Sequence, residues 1–329
     1  MRVAVDVLGG DYAPGEILKG VAQALLTEEF RVDELLLAGP EALITAKLRE
    51  AGVSDIPAVL DTDQVIEGHE KPIEGLRAKP KASVVLCVGA VKQGAADGLI
   101  AFGNTGATVA SATMGLGMLK GIRRPGIAVT LQGAHGPFVL LDVGANPTPK
   151  PNHMFQYALM GSAYAEDLLG IERPRIGLLN IGGEATKGNS VLKETHAALA
   201  AGDLNFVGNV EGNHLFSGEA DVYVADGFVG NMVLKVVEGF AEFLVRAARE
   251  QGESVREALR GMVGAAEFSE VGGATLLGVD GVVLIGHGRS KADAVLSALR
   301  AVRKDVDKGV NRHIVENLEA HREEEPAAE

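Results

Sequence analysis

Lys187 stands in a segment, residues 176–189 (IGLLNIGGEATKGN), whose composition suits it to holding an anion. A strand-like apolar run ends at Asn180, glycines follow at Gly182 and Gly183, and a helical pattern begins at Ser190. Glycines between a strand and a helix start allow backbone N–H groups to close around negative charge, helped by the helix dipole. Lys187 adds a full positive charge to the same place. The chemistry this implies is the binding of a phosphate or another anionic group by an enzyme.

Four more loops share this character: Gly9-Gly10-Asp11, Gly103-Asn104-Thr105-Gly106, the turn from Asp226-Gly227 to Gly230-Asn231, and Gly286-His287-Gly288-Arg289-Ser290. Any one alone reads more readily as an ordinary turn. As a set at strand ends they predict one shared cleft. A Walker A loop is absent, because residues 183–190 carry Asn189 where that motif needs its lysine. Gly115, Gly117 and Gly121 lack the spacing of a dinucleotide fingerprint. The eight histidines show no metal-binding spacing, so no metal and no cofactor are expected. His287, flanked by glycines, is either a site residue or a loop hydrogen-bonder. Asp6 and Asp142 interrupt apolar runs; each belongs either to the site or to a structural network, since a buried acid needs partners. No nucleophile-elbow serine motif occurs.

The elements that must position these loops alternate along the chain. Strands are predicted at residues 3–7, 35–37, 57–60, 99–102, 127–131, 138–143, 176–180, 205–207, 222–225 and 282–285. Helices are predicted at 15–26, from 40 to near 52, and at 83–94, 105–119, 152–169, 190–199 and 231–250, with mainly helix from 290 onward. The strands at 127–131 and 138–143 lie close enough in sequence to form an antiparallel pair. The alternation predicts an α/β fold with a mostly parallel sheet and helices on both faces. In such sheets ligands bind beyond the carboxyl ends of the strands, where the loops lie. No internal repeat or flexible linker is evident, so residues 1–329 read as a single catalytic unit, with two lobes joined by strands.

Composition limits the partners. The chain of 329 residues is 47% apolar and carries a net charge of −13. Residues 316–329 hold six Glu and one Arg and read as a solvated acidic tail. An acidic chain without Trp is not expected to bind nucleic acid. The lone Cys87 excludes an internal disulfide and reads as a small core residue. Asp6 comes too early for a signal-peptide core, and no apolar run is long enough to span a bilayer. A cytoplasmic protein is expected.

Taken together, the loops resemble the bacterial acyl-carrier-protein–phosphate acyltransferases of phospholipid synthesis, the PlsX family. The matching motifs are AVDVLGGD (4–11), GNTGA (103–107), KGIRRPGIA (120–128), LLDVGAN (140–146), QYALMGS (156–162), GLLNIG (177–182), KGN (187–189), DGFVGN (226–231), GGA (272–274) and HGRS (287–290). The resemblance implies transfer of a fatty acyl group from acyl carrier protein to inorganic phosphate by a homodimer. It implies a fold similar to that of the phosphotransacetylases and the isocitrate/isopropylmalate dehydrogenases. Lys187 and Asn231 match the family's catalytic pair. Gly9, Gly10, Asp11, Asn104, Thr105, Gly106, Asn146, Gly182, Asp226, Gly227 and His287 are the expected phosphate- and acyl-donor-binding residues. Phosphate is already nucleophilic at neutral pH, so the enzyme has to hold a dianion beside a thioester and stabilise an oxyanion. The plain alternative for Asn231 is a helix cap.

Two departures from the family bear on partners. Tyr12 stands where the family has histidine. The helical extension, approximately residues 231–270, is short, with an apolar stripe of Val255, Leu259, Met262 and Ala266 that would suit a membrane tip, a dimer surface or core. Peripheral contact with the inner face of the cell membrane is therefore an open expectation. An acidic carrier protein also requires a local basic patch; Arg77, Lys79 and Lys81 form one candidate, Arg123 and Arg124 another. Two other functions compete: a phosphotransacetylase acting on a short acyl-coenzyme A, and a non-catalytic scaffold binding acyl carrier protein and membrane.

Overall fold

A computed structural model describes residues 1–251 and 272–323. The stripe Val255, Leu259, Met262 and Ala266 and the last residues of the acidic tail lie outside them. The chain divides into two compact units, residues 1–118 with 268–307, and residues 119–267 with 308–329.

The first unit contains β1 (Val3–Asp6), β2 (Leu35–Gly39), β3 (Ala58–Asp61), β4 (Gly98–Ala101), β10 (Ala274–Leu277) and β11 (Val282–Ile285). Their order is β3-β2-β1-β4-β11-β10, parallel throughout except for β10 against β11. Every residue of β1, β2 and β4 is buried, as expected of strands covered on both faces. Val3, Val5 and Val7 pack with Ile17, Leu18 and Val21 of α1 (Gly15–Leu26) and with Val295, Leu299 and Val302 of the helix Ala292–Lys308. The helix α4 (Ser83–Lys92) also packs on β1, β2 and β4. The helix predicted at 105–119 ends earlier, as α5 (Thr105–Gly115). Gly117 turns the chain with φ +88°, and Met118 pairs instead with Val279. A short helix, α3 (Pro72–Ala78), and β10 were not expected.

The second unit has the order β5-β6-β9-β7-β8. β5 (Gly126–Gly133) and β6 (Gly136–Leu141) form the expected antiparallel pair. From β6 onward, β9 (Val222–Val224), β7 (Ile176–Asn180) and β8 (Phe206–Glu211) are parallel. The nearly buried α6 (Pro151–Tyr164) packs on β6 and β9, and Gly161 permits the approach: a Cβ there would lie 2.6 Å from a Val222 methyl. The helix α8 runs over Gly227–Gln251, starting one turn before the predicted residue 231. The expected acidic tail begins inside a helix, Val310–Glu323, whose Val310, Ile314 and Leu318 are buried. Residues 316–323 are therefore structured rather than a frayed end.

Candidate functional site

In the second unit the carboxyl ends of β6, β9 and β7 share one edge, because the three strands are adjacent and parallel. Adjacent strands lie about 4.8 Å apart, so the turns that follow them are neighbours. After β6 comes the Asp142 turn, after β9 the Asp226–Asn231 turn, and after β7 the Lys187 loop.

The Asp142 turn is built on its carboxylate. Oδ1 accepts N–H groups from Ile127 (2.9 Å), Gly144 (3.0 Å) and Ala145 (2.9 Å), and Oδ2 accepts from Asn146 (2.7 Å). Burial pushes the Asp142 carboxyl above its ordinary range, while these four donors pull the other way. Of the two readings open for Asp142, the network is the one that the geometry supports. Asn146 is then fixed further: its carbonyl accepts the Gly227 N–H at 3.0 Å, and its Nδ2 donates to the Tyr157 hydroxyl at 3.3 Å. The Tyr157 hydroxyl in turn donates to the Pro125 carbonyl at 3.3 Å.

Asp226 caps α8. Its Oδ1 accepts the N–H groups of Phe228 (3.0 Å) and Val229 (2.8 Å), an N-cap arrangement. The capping alternative for Asn231 therefore falls, because Asp226 already does that work and Asn231 lies inside the helix. The Asn231 side chain is exposed and has no hydrogen-bond partner among the described residues. Its Oδ1 lies 3.9 Å from the position a Cβ would take on Gly144, beside the Asp142 turn. An asparagine amide so placed can donate to a ligand without breaking any protein contact.

The Lys187 loop is pinned from two strands. Asn180 Nδ2 donates to the Lys187 carbonyl at 3.4 Å, and Asn209 Nδ2 from β8 donates to the Glu184 carbonyl at 2.8 Å. Asn189 caps α7 (Ser190–Ala201) by accepting the Leu192 N–H at 3.0 Å. Gly182 was expected to allow close approach of an anion. Instead the space beside it holds the lysine stem: a Cβ there would meet Lys187 Cγ at 2.9 Å. The Lys187 ammonium is 3.8 Å from Glu184 Oε1, and both side chains are substantially exposed, at 47% and 67%. Such a pair contributes little, so Lys187 can turn toward a ligand.

The first unit repeats the device. Asp6 ends β1 as Asp142 follows β6, and its Oδ1 accepts the N–H groups of Leu8 and Gly9, both at 3.1 Å. Burial raises its carboxyl above the ordinary value against the pull of those N–H groups. Asp6 is thus a network residue too. The loops after β1, β4 and β11 meet: Asp11 N–H donates to the Gly288 carbonyl at 2.7 Å, and a Cβ on Gly9 would lie 2.8 Å from the Gly103 nitrogen.

Several expected donors are already committed. The N–H groups of Gly9, Asp11 and Gly227 all bond to protein oxygens. Asn104 Oδ1 caps α5 through Ala107, and its Nδ2 donates to the carbonyls of Glu67 (3.0 Å) and Glu70 (2.9 Å). These donors shape the loops, each being spent on a protein oxygen. Gly10 adopts φ +114°, a conformation that favours glycine. Thr105 and Gly106 are exposed at the start of α5. His287 Nδ1 accepts the Arg289 N–H at 3.1 Å, which places the proton of the neutral ring on Nε2.

Asn180, Asn209 and Tyr157 were not identified from sequence. Asn180, a polar residue closing an apolar strand before a glycine loop, was the only one of the three with a local signal.

Residues 1–313 match the family described as fatty acid synthesis protein. A phosphate acyltransferase of Desulfitobacterium hafniense is 41% identical over 329 residues, covering 97% of this chain and 98% of the relative. A phosphate acyltransferase of Heliobacterium modesticaldum is 43% identical over 333 residues, covering 98% and 97%. Among solved structures, a phosphotransacetylase from Streptococcus pyogenes superposes with a TM-score of 0.61 at 17% identity, covering 92% of this chain and 94% of that one. That likeness is one of fold.

Proposed function

The chain belongs to the fatty acid synthesis protein family, whose relatives above are phosphate acyltransferases, and on that premise we propose how it works: a fatty acyl group passes from acyl carrier protein to inorganic phosphate, with Lys187 and Asn231 as the catalytic pair. Acyl transfer to phosphate is the family's activity. The observation that carries the assignment of residues is the exposed Asn231 amide, unpartnered among the described residues, on the strand edge that also bears Lys187. Lys187 holds the phosphate dianion as a mobile point charge. A phosphate oxygen attacks the thioester carbonyl carbon, and the developing oxyanion accepts from the Asn231 amide. Collapse of the tetrahedral intermediate breaks the carbon–sulfur bond, leaving acyl phosphate and a thiolate that takes up a proton.

Asp142 and Asp226 position Asn231, through the turn after β6 and the first turn of α8, and do not touch the reacting atoms. A homodimer and peripheral membrane contact remain part of the proposal. Support for an apolar partner comes from α8, where Phe228, Met232, Val236 and Phe240 recur at helical spacing and are 64%, 51%, 65% and 58% exposed.

The test is to mix the protein with phosphate and either palmitoyl-carrier protein or acetyl-coenzyme A, then trap acyl phosphate with hydroxylamine. Hydroxamate from the carrier-protein thioester is expected. Product from acetyl-coenzyme A alone would favour the phosphotransacetylase reading, and none from either would leave the scaffold.

A further inference from the structure

We infer that Arg123, Arg124 and Lys150 form a docking surface for an acidic protein, the carrier of the acyl group. This rests on the reading that the donor is acyl carrier protein.

All three side chains are exposed, and none has an ion-pair partner among the described residues. Nearby Lys120, by contrast, is paired with Glu319 at 2.8 Å. The three are brought together by α6, not by sequence alone. Gln156 Oε1 accepts the Arg123 N–H at 3.0 Å, and its Nε2 donates to the Gly121 carbonyl at 2.8 Å. Tyr157 secures Pro125 in the same way. The loop 121–125 is thereby clamped to the early turns of α6, whose first residue follows Lys150. His153, on the first turn, feels the result: burial and then the charges of Arg124, Lys150 and Arg123 hold it below its ordinary value.

A concentration of unpaired cations on a chain of net charge −13 is a local exception, and such exceptions steer acidic partners. The rival cluster of Arg77, Lys79 and Lys81 is weaker by this criterion, because its central lysine is paired and acidic side chains lie beside it. Lys79 is bound to Glu70 at 2.5 Å and to the Val65 carbonyl at 2.7 Å, and Lys71 is paired with Glu74 close by. The patch also lacks what a lipid surface would use, since Ile122, the large aliphatic residue beside the arginines, is buried. Its position suits a donor. Tyr157 links the clamped loop to Asn146, and Asn146 bonds to Gly227 at the start of the helix that carries Asn231.

The experiment measures binding of fluorescently labelled acyl carrier protein to the full chain by anisotropy, alongside turnover of palmitoyl-carrier protein and of the uncharged thioester palmitoyl-pantetheine. Charge reversal in R123E/R124E/K150E, and neutralisation in R124Q/K150Q as a milder variant, should weaken carrier binding at least tenfold and flatten its salt dependence. Both variants should leave turnover of palmitoyl-pantetheine and the thermal midpoint unchanged. Unaltered carrier binding in folded variants would overturn the inference, as would equal loss with both donors. Loss of flotation with phosphatidylglycerol vesicles but not of carrier binding would overturn it in favour of lipid. Because binding is read without turnover, patch-dependent binding with no acyl phosphate formed would sink the catalytic reading and leave the docking surface standing.

Discussion

A Cβ on Gly230 would collide with the carbonyl oxygen of Asp142, so the first turn of α8 and the turn after β6 meet backbone to backbone. Gly227 makes a second close approach, with a Cβ there 2.7 Å from the Asp142 side-chain Oδ2 and 2.8 Å from the Asn146 carbonyl oxygen. The position of Asn231 therefore follows from two glycines and an aspartate that themselves do no chemistry. Gly230→Ala should lower stability by more than about 2 kcal/mol, since the contact is with backbone that cannot rotate away. It should also reduce kcat with little change in the phosphate KM. Urea unfolding and steady-state kinetics check both, and a stable, fully active variant would remove the link between this packing and the site.

Asn231→Ala and Asp226→Ala should divide cleanly. Asn231 has no partner to lose, and alanine is the better helix former, so stability should hold or rise slightly. Loss of one donor to an oxyanion costs about 100- to 1000-fold in kcat. Asp226→Ala removes the cap of α8 and should cost about 1 kcal/mol of stability, with a smaller fall in turnover. The reverse pattern, a destabilised but active Asn231→Ala, would make Asn231 structural.

Lys187→Ala should abolish measurable turnover while leaving the thermal midpoint in place, since its exposed contact with Glu184 contributes little. Lys187→Arg should restore part of the phosphate affinity but not full kcat, because a planar fork replaces a compact charge on the same short loop. Retained activity in a folded Lys187→Ala variant would remove the lysine from the mechanism.

The sequence pattern and the structure agree most where one local signal decides. The pattern places residues 15–26 and 176–180 at their observed limits because apolar periodicity and flanking breakers coincide there. The pattern places the start of α8 a turn late, at residue 231 rather than Gly227. Gly227 and Gly230 are poor helix formers, and they are tolerated because the approach to Asp142 leaves no room for a side chain. The candidate site was legible as loops but not as a hydrogen-bond network. That Asn209 holds the Glu184 carbonyl, or that Asn104 spends its amide on residues 67 and 70, depends on pairings distant in sequence. Local composition carries no trace of such pairings.

Asp305 gives the first unit a pH dependence of its own. It is 4% exposed, and burial pushes its carboxyl up to about 7, opposed chiefly by the Thr275 hydroxyl, which donates to Oδ2 at 2.8 Å. In the unfolded chain the same carboxyl titrates near 4. Between those values the folded state keeps a proton that the unfolded state has released. Stability must then fall as pH rises from about 4 to about 7, by up to about 1.4 kcal/mol per pH unit from this one group. Above about 7 both states are ionised and the slope vanishes. Asp305→Asn keeps an oxygen for Thr275 and removes the titration, so its unfolding free energy should lose this downward slope across that window and exceed the wild-type value at pH 8. Urea unfolding of both proteins from pH 5 to pH 8 provides the comparison. Parallel profiles would show that Asp305 is ionised in the folded protein at all these values, with its burial offset by contacts stronger than the Thr275 hydroxyl.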